Sequence, residues 1–182
     1  LIGTNFNNPR LNDAVFDHAL IGNATFRSAD VTGASFKYTS GAGADFTNAD
    51  LSASNFYRAQ LRGAKFLNAN LQYLEAQEDS FDSIMADYAN FNHANLPYTW
   101  MYKAQLKNTS FNHANLYSAK LQQADLTEAD MTSAKMGKAN LRSSILASTK
   151  FNAAVLDNAD LRNADLTYTE FGTATKLNTK FE

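Results

Sequence analysis

Cysteine is absent from the 182 residues, which removes thiol nucleophiles, thiolate metal ligands and disulfide frameworks and leaves the redox compartment open. Proline occurs twice and glycine eight times, with no low-complexity stretch. Nothing therefore marks a boundary, and residues 1–182 read as one domain. Neither sign of charge is in excess. Sixteen Lys and Arg against eighteen Asp and Glu give −2, a balance that argues against direct nucleic-acid binding and against attraction to an anionic membrane. No apolar run reaches spanning length, and no charged-then-apolar leader opens the chain, which favours the cytoplasm. Leu1 in place of Met nevertheless points to a start inside a longer gene product or after processing. Histidine is limited to His18, His93 and His113. No HExxH, nucleophile elbow, Walker or dinucleotide fingerprint occurs.

What the chain does have is a period. Of the thirty-seven positions numbered one more than a multiple of five, thirty-three are Leu, Phe, Ile, Val or Met; the exceptions are Gly41, Ala76, Ala86 and Lys176. Two residues before each lies a small one: of thirty-six such positions twenty-three are Ala and nine Ser or Thr, leaving Pro9, Leu74, Asp79 and Ile84. Five residues advance a helix by about 500°, so these positions would spiral around it. On a straight strand i−2 and i share a face, but i+5 has the opposite parity. The chain must turn once every five residues to bring each pair back inside.

The number of corners follows from a longer echo. Phe91-Asn92-His93-Ala94-Asn95-Leu96 returns unchanged as Phe111-Asn112-His113-Ala114-Asn115-Leu116, twenty residues or four sides later. Residues n and n+20 are thus expected to stack at about 4.8 Å in an all-β quadrilateral coil. About nine coils would give a rod of roughly 40 Å. Stacking sorts the core into columns: Phe6, Phe26, Phe46 and Phe66 in one, Phe16, Phe36 and Phe56 opposite, and Phe91, Phe111, Phe151 and Phe171 in the column begun by Leu11.

The breaks carry expectations of their own. Leu74 with Ala76 and Ile84 with Ala86 exchange large and small slots, which keeps core volume approximately constant. Asp79 takes a small inward slot, where an unpaired charge is expensive. The reading is a bulge that lets it reach water, with Thr99 one coil away as a donor, against the alternative of a perturbed carboxylate with a role. Gly41 is expected to leave its slot empty and to mark a pinch or a loosened side, and Lys176 to pull the last coil away from the square. No amphipathic helix covers either end, so a homodimer through an uncapped end is one expectation.

The triplets Ala49-Asp50-Leu51, Ala69-Asn70-Leu71, Ala124-Asp125-Leu126, Ala139-Asn140-Leu141, Ala159-Asp160-Leu161 and Ala164-Asp165-Leu166 resemble the pentapeptide-repeat family over essentially the whole chain. The resemblance implies a right-handed quadrilateral parallel β-helix. It also implies a choice of roles: a scaffold, a DNA mimic that protects a type II topoisomerase, or the targeting module of a larger secreted effector, with the plastid lumen a further location. Members that mimic DNA tend to be strongly acidic, and this chain departs from them.

No catalytic, cofactor or metal residues are assigned, and an enzyme is not expected. His93 and His113 should stack as copies of one duplicated coil, and Glu75, Glu78 and Asp79 form the only local carboxylate cluster. The outward aromatics say more. Tyr38, Tyr57, Arg58, Tyr98 and Tyr117 fall on one side, with Trp100 and Tyr102 around the neighbouring corner. Aromatics with Arg anchor protein interfaces, although ring ladders also stabilise neighbouring strands. A protein partner of unidentified kind is the expected ligand.

Overall fold

A side of five residues closes only if its corner is tight. In every repeat except those of Pro9, which has no N–H, and Asp79, the N–H of the small inward residue donates back to the carbonyl three residues before it, as Ala24 does to Ile21 at 2.9 Å and Ala64 to Leu61 at 2.9 Å. The computed structural model describes residues 1–182 and forms four-sided coils throughout. One residue per side bridges in parallel to the residue twenty later, from Asn5 with Thr25 to Asp160 with Lys180. No helix is present, and none is long and apolar enough to cross a membrane. The four sides are named here for the inward residues Leu1, Phe6, Leu11 and Phe16.

Each corner needs a left-handed residue. With few exceptions the second residue after the bulky one has positive φ, near 55–60° at Asn48, Arg58, His93 and Ser133, the mark of a type II turn. Most of these residues are not glycine, and for an L-residue this conformation costs roughly 1–2 kcal/mol. No Val or Ile occupies the position anywhere. Its one β-branched occupant, Thr173, does not adopt the conformation; Gly172 takes it at φ 42° instead.

The preceding residue of the motif secures the corner from the other end. Asp50 Oδ1 accepts the N–H of Ser52 at 3.0 Å and its hydroxyl at 2.7 Å. Asp45 with Thr47, Asp125 with Thr127 and Asp165 with Thr167 repeat the arrangement. These are Asx turns, in which a short side chain replaces a missing backbone partner. The Asp or Asn of the motif is therefore a corner brace.

The interior is one continuous cluster of 51 buried residues. Phe6, Phe26, Phe46 and Phe66 stack at 4.8, 4.8 and 5.1 Å, and Phe16, Phe36 and Phe56 at 4.8 and 4.6 Å. The two columns meet edge to face, as at Phe26–Phe36, 5.9 Å and 85°, so each ring has both favourable aromatic geometries. Phe81, outside both columns, packs its edge on Phe66 at 5.8 Å and ends the ring-filled half. Phe91–Phe111 and Phe151–Phe171 then stack on the Leu11 side at 4.9 and 5.5 Å. Inward threonines reach the carbonyl of the coil before: Thr39 donates to Phe16 at 3.1 Å and Thr149 to Leu126 at 2.8 Å.

Three local expectations are corrected. Gly41 leaves no void and its side is pinched, not loosened, because Leu61 and Ile21 lean into its slot; a Cβ there would stand 2.7 Å from Leu61 Cδ2 and 3.0 Å from Ile21 Cγ1. The last coil keeps its register, with Val155 bridged to Thr175 and Asp160 to Lys180. Lys176 instead swings out, donating to the Ala174 carbonyl at 3.0 Å and lying 5.5 Å from the Phe171 ring centre. Asp79 does not reach water. The swapped pairs Leu74, Ala76, Ile84 and Ala86 are all fully buried.

The corner rule is testable at Asn108, which is exposed, has φ 54° and packs against no core. Asn108→Val is expected to lower stability in denaturant melts by about 1–2 kcal/mol, while Asn108→Gly stays within about 0.5 kcal/mol of the parent. Equal effects of the two would refute a conformational origin.

Candidate interaction surface

The twenty-residue register decides which outward side chains meet. On the Phe16 side Tyr38 and Tyr57 pack edge to face at 5.7 Å, and three coils on Tyr98 and Tyr117 do the same at 5.9 Å. Each pair has its own cation: Arg58 lies 5.2 Å from the Tyr57 ring centre and Lys138 5.5 Å from that of Tyr117. His18 stacks on Tyr38 at 5.0 Å. Gly137 gives Tyr117 its room, since a Cβ there would press on the ring at 3.3 Å.

Around the corner, on the Leu1 side, Trp100 and Tyr102 stand half exposed. Three shallow depressions run past them. The first, of about 400 Å³, is bordered by Gln60, Glu78, Asp82, Tyr98 and Trp100 with Asp79 at its base. The second lies among Asp82, Trp100, Tyr102, Lys120 and Gln122, and the third among Tyr102, Gln122, Asn140 and Arg142. Tyr98, Trp100 and Tyr102 therefore share one groove, whereas Tyr38, Tyr57 and Arg58 form a separate patch lower on the rod. The groove was not legible as such, although stacking places Trp100 directly between Ser80 and Lys120.

Asp79 is the unusual group. It is fully buried, and its Oδ1 accepts the Ala59 N–H at 2.7 Å while Oδ2 has no partner. Thr99 does not serve it; its hydroxyl oxygen lies 2.8 Å from the carbonyls of Ala76 and Leu96. Burial pushes the Asp79 carboxyl up to about 9, against the pull of the Ala59 and Arg58 amides and with a small push from Glu78, so the group is a neutral acid at pH 7. Glu78 is held by Arg58 at 2.8 Å, and Asp82 Oδ1 accepts the Tyr102 N–H at 2.9 Å.

The corner aspartates shift the other way. At Asp30 the Asn12 and Thr32 hydrogen bonds hold the carboxyl below its usual range. At Asp45 burial would raise it, but Thr47 and Arg27, the latter at 2.7 Å, prevail. The Arg162 side chain takes Asp160 down to about 2.

The histidines make no metal site. His93 and His113 stack at 5.0 Å and 7°, with Tyr73 on His93 at 5.1 Å. Parallel rings direct their nitrogens along parallel planes, where they cannot converge on one ion. No group of three His, Asp or Glu side chains is placed to hold a metal.

A four-sided parallel coil with a packed interior, braced corners and only shallow surface relief is a β-helical repeat protein whose capacities lie on its faces. The chain belongs to the pentapeptide-repeat family: the family model Pentapeptide repeats matches residues 1–37, 42–73, 109–146 and 144–174 in eight copies, and the coil is the right-handed quadrilateral parallel β-helix of that family. Among solved structures it is similar to HetL, a pentapeptide repeat protein involved in heterocyst differentiation regulation from the cyanobacterium Nostoc sp. strain PCC 7120. That match has 25% identity and a TM-score of 0.59, over 94% of this chain and 86% of that one. It is also similar to the pentapeptide repeat protein Rfr23 of the cyanobacterium Cyanothece 51142, with 26% identity and a TM-score of 0.51, over 51% of this chain and 64% of the other. The plasmid-mediated fluoroquinolone resistance protein QnrB1 matches more distantly, with 21% identity and a TM-score of 0.38 over 98% of this chain and 90% of that one. No curated protein matches by sequence.

The opposed shifts predict a two-sided pH dependence. Asp79 is raised, so its unfolded form ionises from about pH 4 while the folded form resists until about pH 9, and stability falls as pH rises across that window. The lowered aspartates contribute stability that is lost as pH falls below about 4. Asp79→Asn should therefore match the parent near pH 4.5 and exceed it increasingly toward pH 8.5 in denaturant melts. Parallel curves would overturn the buried-acid assignment.

Proposed function

We propose that this protein is a non-enzymatic, rigid scaffold that presents its Phe16 and Leu1 sides to a macromolecular partner, without cofactor. The observation that carries the reading is the gathering of Tyr98, Trp100 and Tyr102 along one open groove, with Tyr38, Tyr57, Arg58 and Tyr117 on the adjoining side. Large rings held by a backbone with no hinge bind at low ordering cost, and such rings with Arg dominate interface energies. The open form of the groove gives chemistry no enclosed site. HetL, to which the chain is similar, is a pentapeptide repeat protein involved in heterocyst differentiation regulation, and a regulatory role exercised through protein contact fits a rigid scaffold.

Topoisomerase protection by DNA mimicry is the alternative, and it needs an uninterrupted acidic stripe. The Phe6 and Leu11 sides hold most of the acids, but Arg27 and Lys107 neutralise Asp45 and Asp125, and the corner aspartates turn toward their own backbone. Targeting of a larger effector would be carried by chain outside residues 1–182.

Two measurements separate these readings. Immobilised protein should retain a specific partner from extracts of its source, with Tyr57→Ala plus Trp100→Ala reducing recovery at least tenfold and an Asn108→Gly control having no effect. Supercoiling by gyrase, with and without a quinolone, should be unchanged; protection would replace the scaffold reading with the mimic.

A further inference from the structure

The Leu1 side is the electropositive one. From residue 60 to residue 143 its outward positions carry Arg62, Lys103, Lys120 and Arg142 against the single acid Asp82, with Asp160 following one coil above Asn140 and near enough to feel the Arg142 charge. None of the four cations forms an ion pair; the ion pairs of the chain involve Arg27, Arg58, Lys107 and Arg162. Lys120 and Lys103 rest instead on rings, with Nζ at 3.9 Å from the Trp100 centre and 5.1 Å from that of Tyr102. Asp82 spends part of its charge on the Tyr102 N–H. A row of unneutralised cations seated on half-exposed aromatics along a groove is complementary to a chain of acids interleaved with apolar residues.

Gln122 borders both the second and third depressions and so joins them into one path past Tyr102. The opposite Leu11 side is acidic, with Asp30, Asp50 and Asp130, and the total charge of −2 opposes a long polyanion at distances a short peptide does not sample.

We propose that the groove past Trp100, Tyr102, Lys120, Gln122 and Arg142 docks an extended acidic segment of a partner protein, its carboxylates on Lys120 and Arg142 and its apolar side chains against Trp100 and Tyr102. This rests on the scaffold reading and assigns the chemistry of the partner at one of its two sides.

The probe is a fluorescein-labelled peptide of alternating Glu and Tyr, compared with its Lys–Tyr counterpart and a duplex DNA, by anisotropy at 50 and 300 mM NaCl. The acidic peptide should bind at least tenfold more tightly than either comparator and weaken severalfold at the higher salt. Lys120→Glu plus Arg142→Glu should weaken it at least tenfold with an unchanged thermal midpoint, Trp100→Ala severalfold, and Tyr57→Ala not at all. Equal binding of the basic peptide, tighter binding of DNA, indifference to the double reversal, or no binding at 1 mM would overturn the assignment. If a partner is captured from extract through Tyr57 and Trp100 while the acidic peptide fails, the scaffold reading stands and the acidic-segment assignment falls.

Discussion

Every property of this molecule depends on one constraint: a side of five residues can close only through a residue held at positive φ. The cost recurs at every corner, mostly at residues other than glycine, and no single contact offsets it. The offset is collective. Each corner leaves its flanking amides and carbonyls pointing along the rod, where the coils before and after accept and donate at 2.6–3.3 Å. A coil in isolation would meet the conformational cost without the ladder, so stability comes only from stacking, the nearest-neighbour behaviour expected of solenoids.

The same constraint explains the family motif from physics. The bulky residue and its small partner fill the interior, the Asp or Asn between them braces the turn that follows, and the next two residues form the corner, with the second left-handed. Asn, Ser, His and Tyr recur there, and Val and Ile never do. Thr173 is the informative exception. A β-branched side chain resists the left-handed region, and the chain moves the strained conformation one residue back to Gly172. The repeat yields at that corner while the bridge from Val155 to Thr175 is kept.

The period made the coil, the four sides and the inward columns legible because burial acts on spacing, and spacing is visible in a sequence. The corner brace was equally visible, as Asp-x-Thr at Asp45, Asp125 and Asp165, but it has no meaning until the turn is known. Asp79 and Gly41 are less legible for a common reason. A slot does not belong to its own residue alone: Ile21 and Leu61 close over Gly41, and the Ala59 amide one coil back holds Asp79. In a stack with a 4.8 Å step, the neighbour twenty residues away is as near as the next residue in sequence, and it determines what a break becomes.

The surface follows the same logic with the opposite consequence. Inside, stacking like on like is favourable, since Phe on Phe gains area and geometry. Outside, like charges one coil apart would repel, and at some positions opposites or rings meet instead: Arg58 meets Glu78, Arg27 meets Asp45, and His93 meets Tyr73 and His113 as rings. On the Leu1 side Arg162 is paired to Asp160, while Lys120 lies over Trp100 and Lys103 over Tyr102. A cation seated on a ring keeps its charge available to a second molecule, whereas one closed onto a carboxylate does not. That difference, and not a lack of ion pairs alone, is what sets the stretch from Lys103 to Lys120 apart.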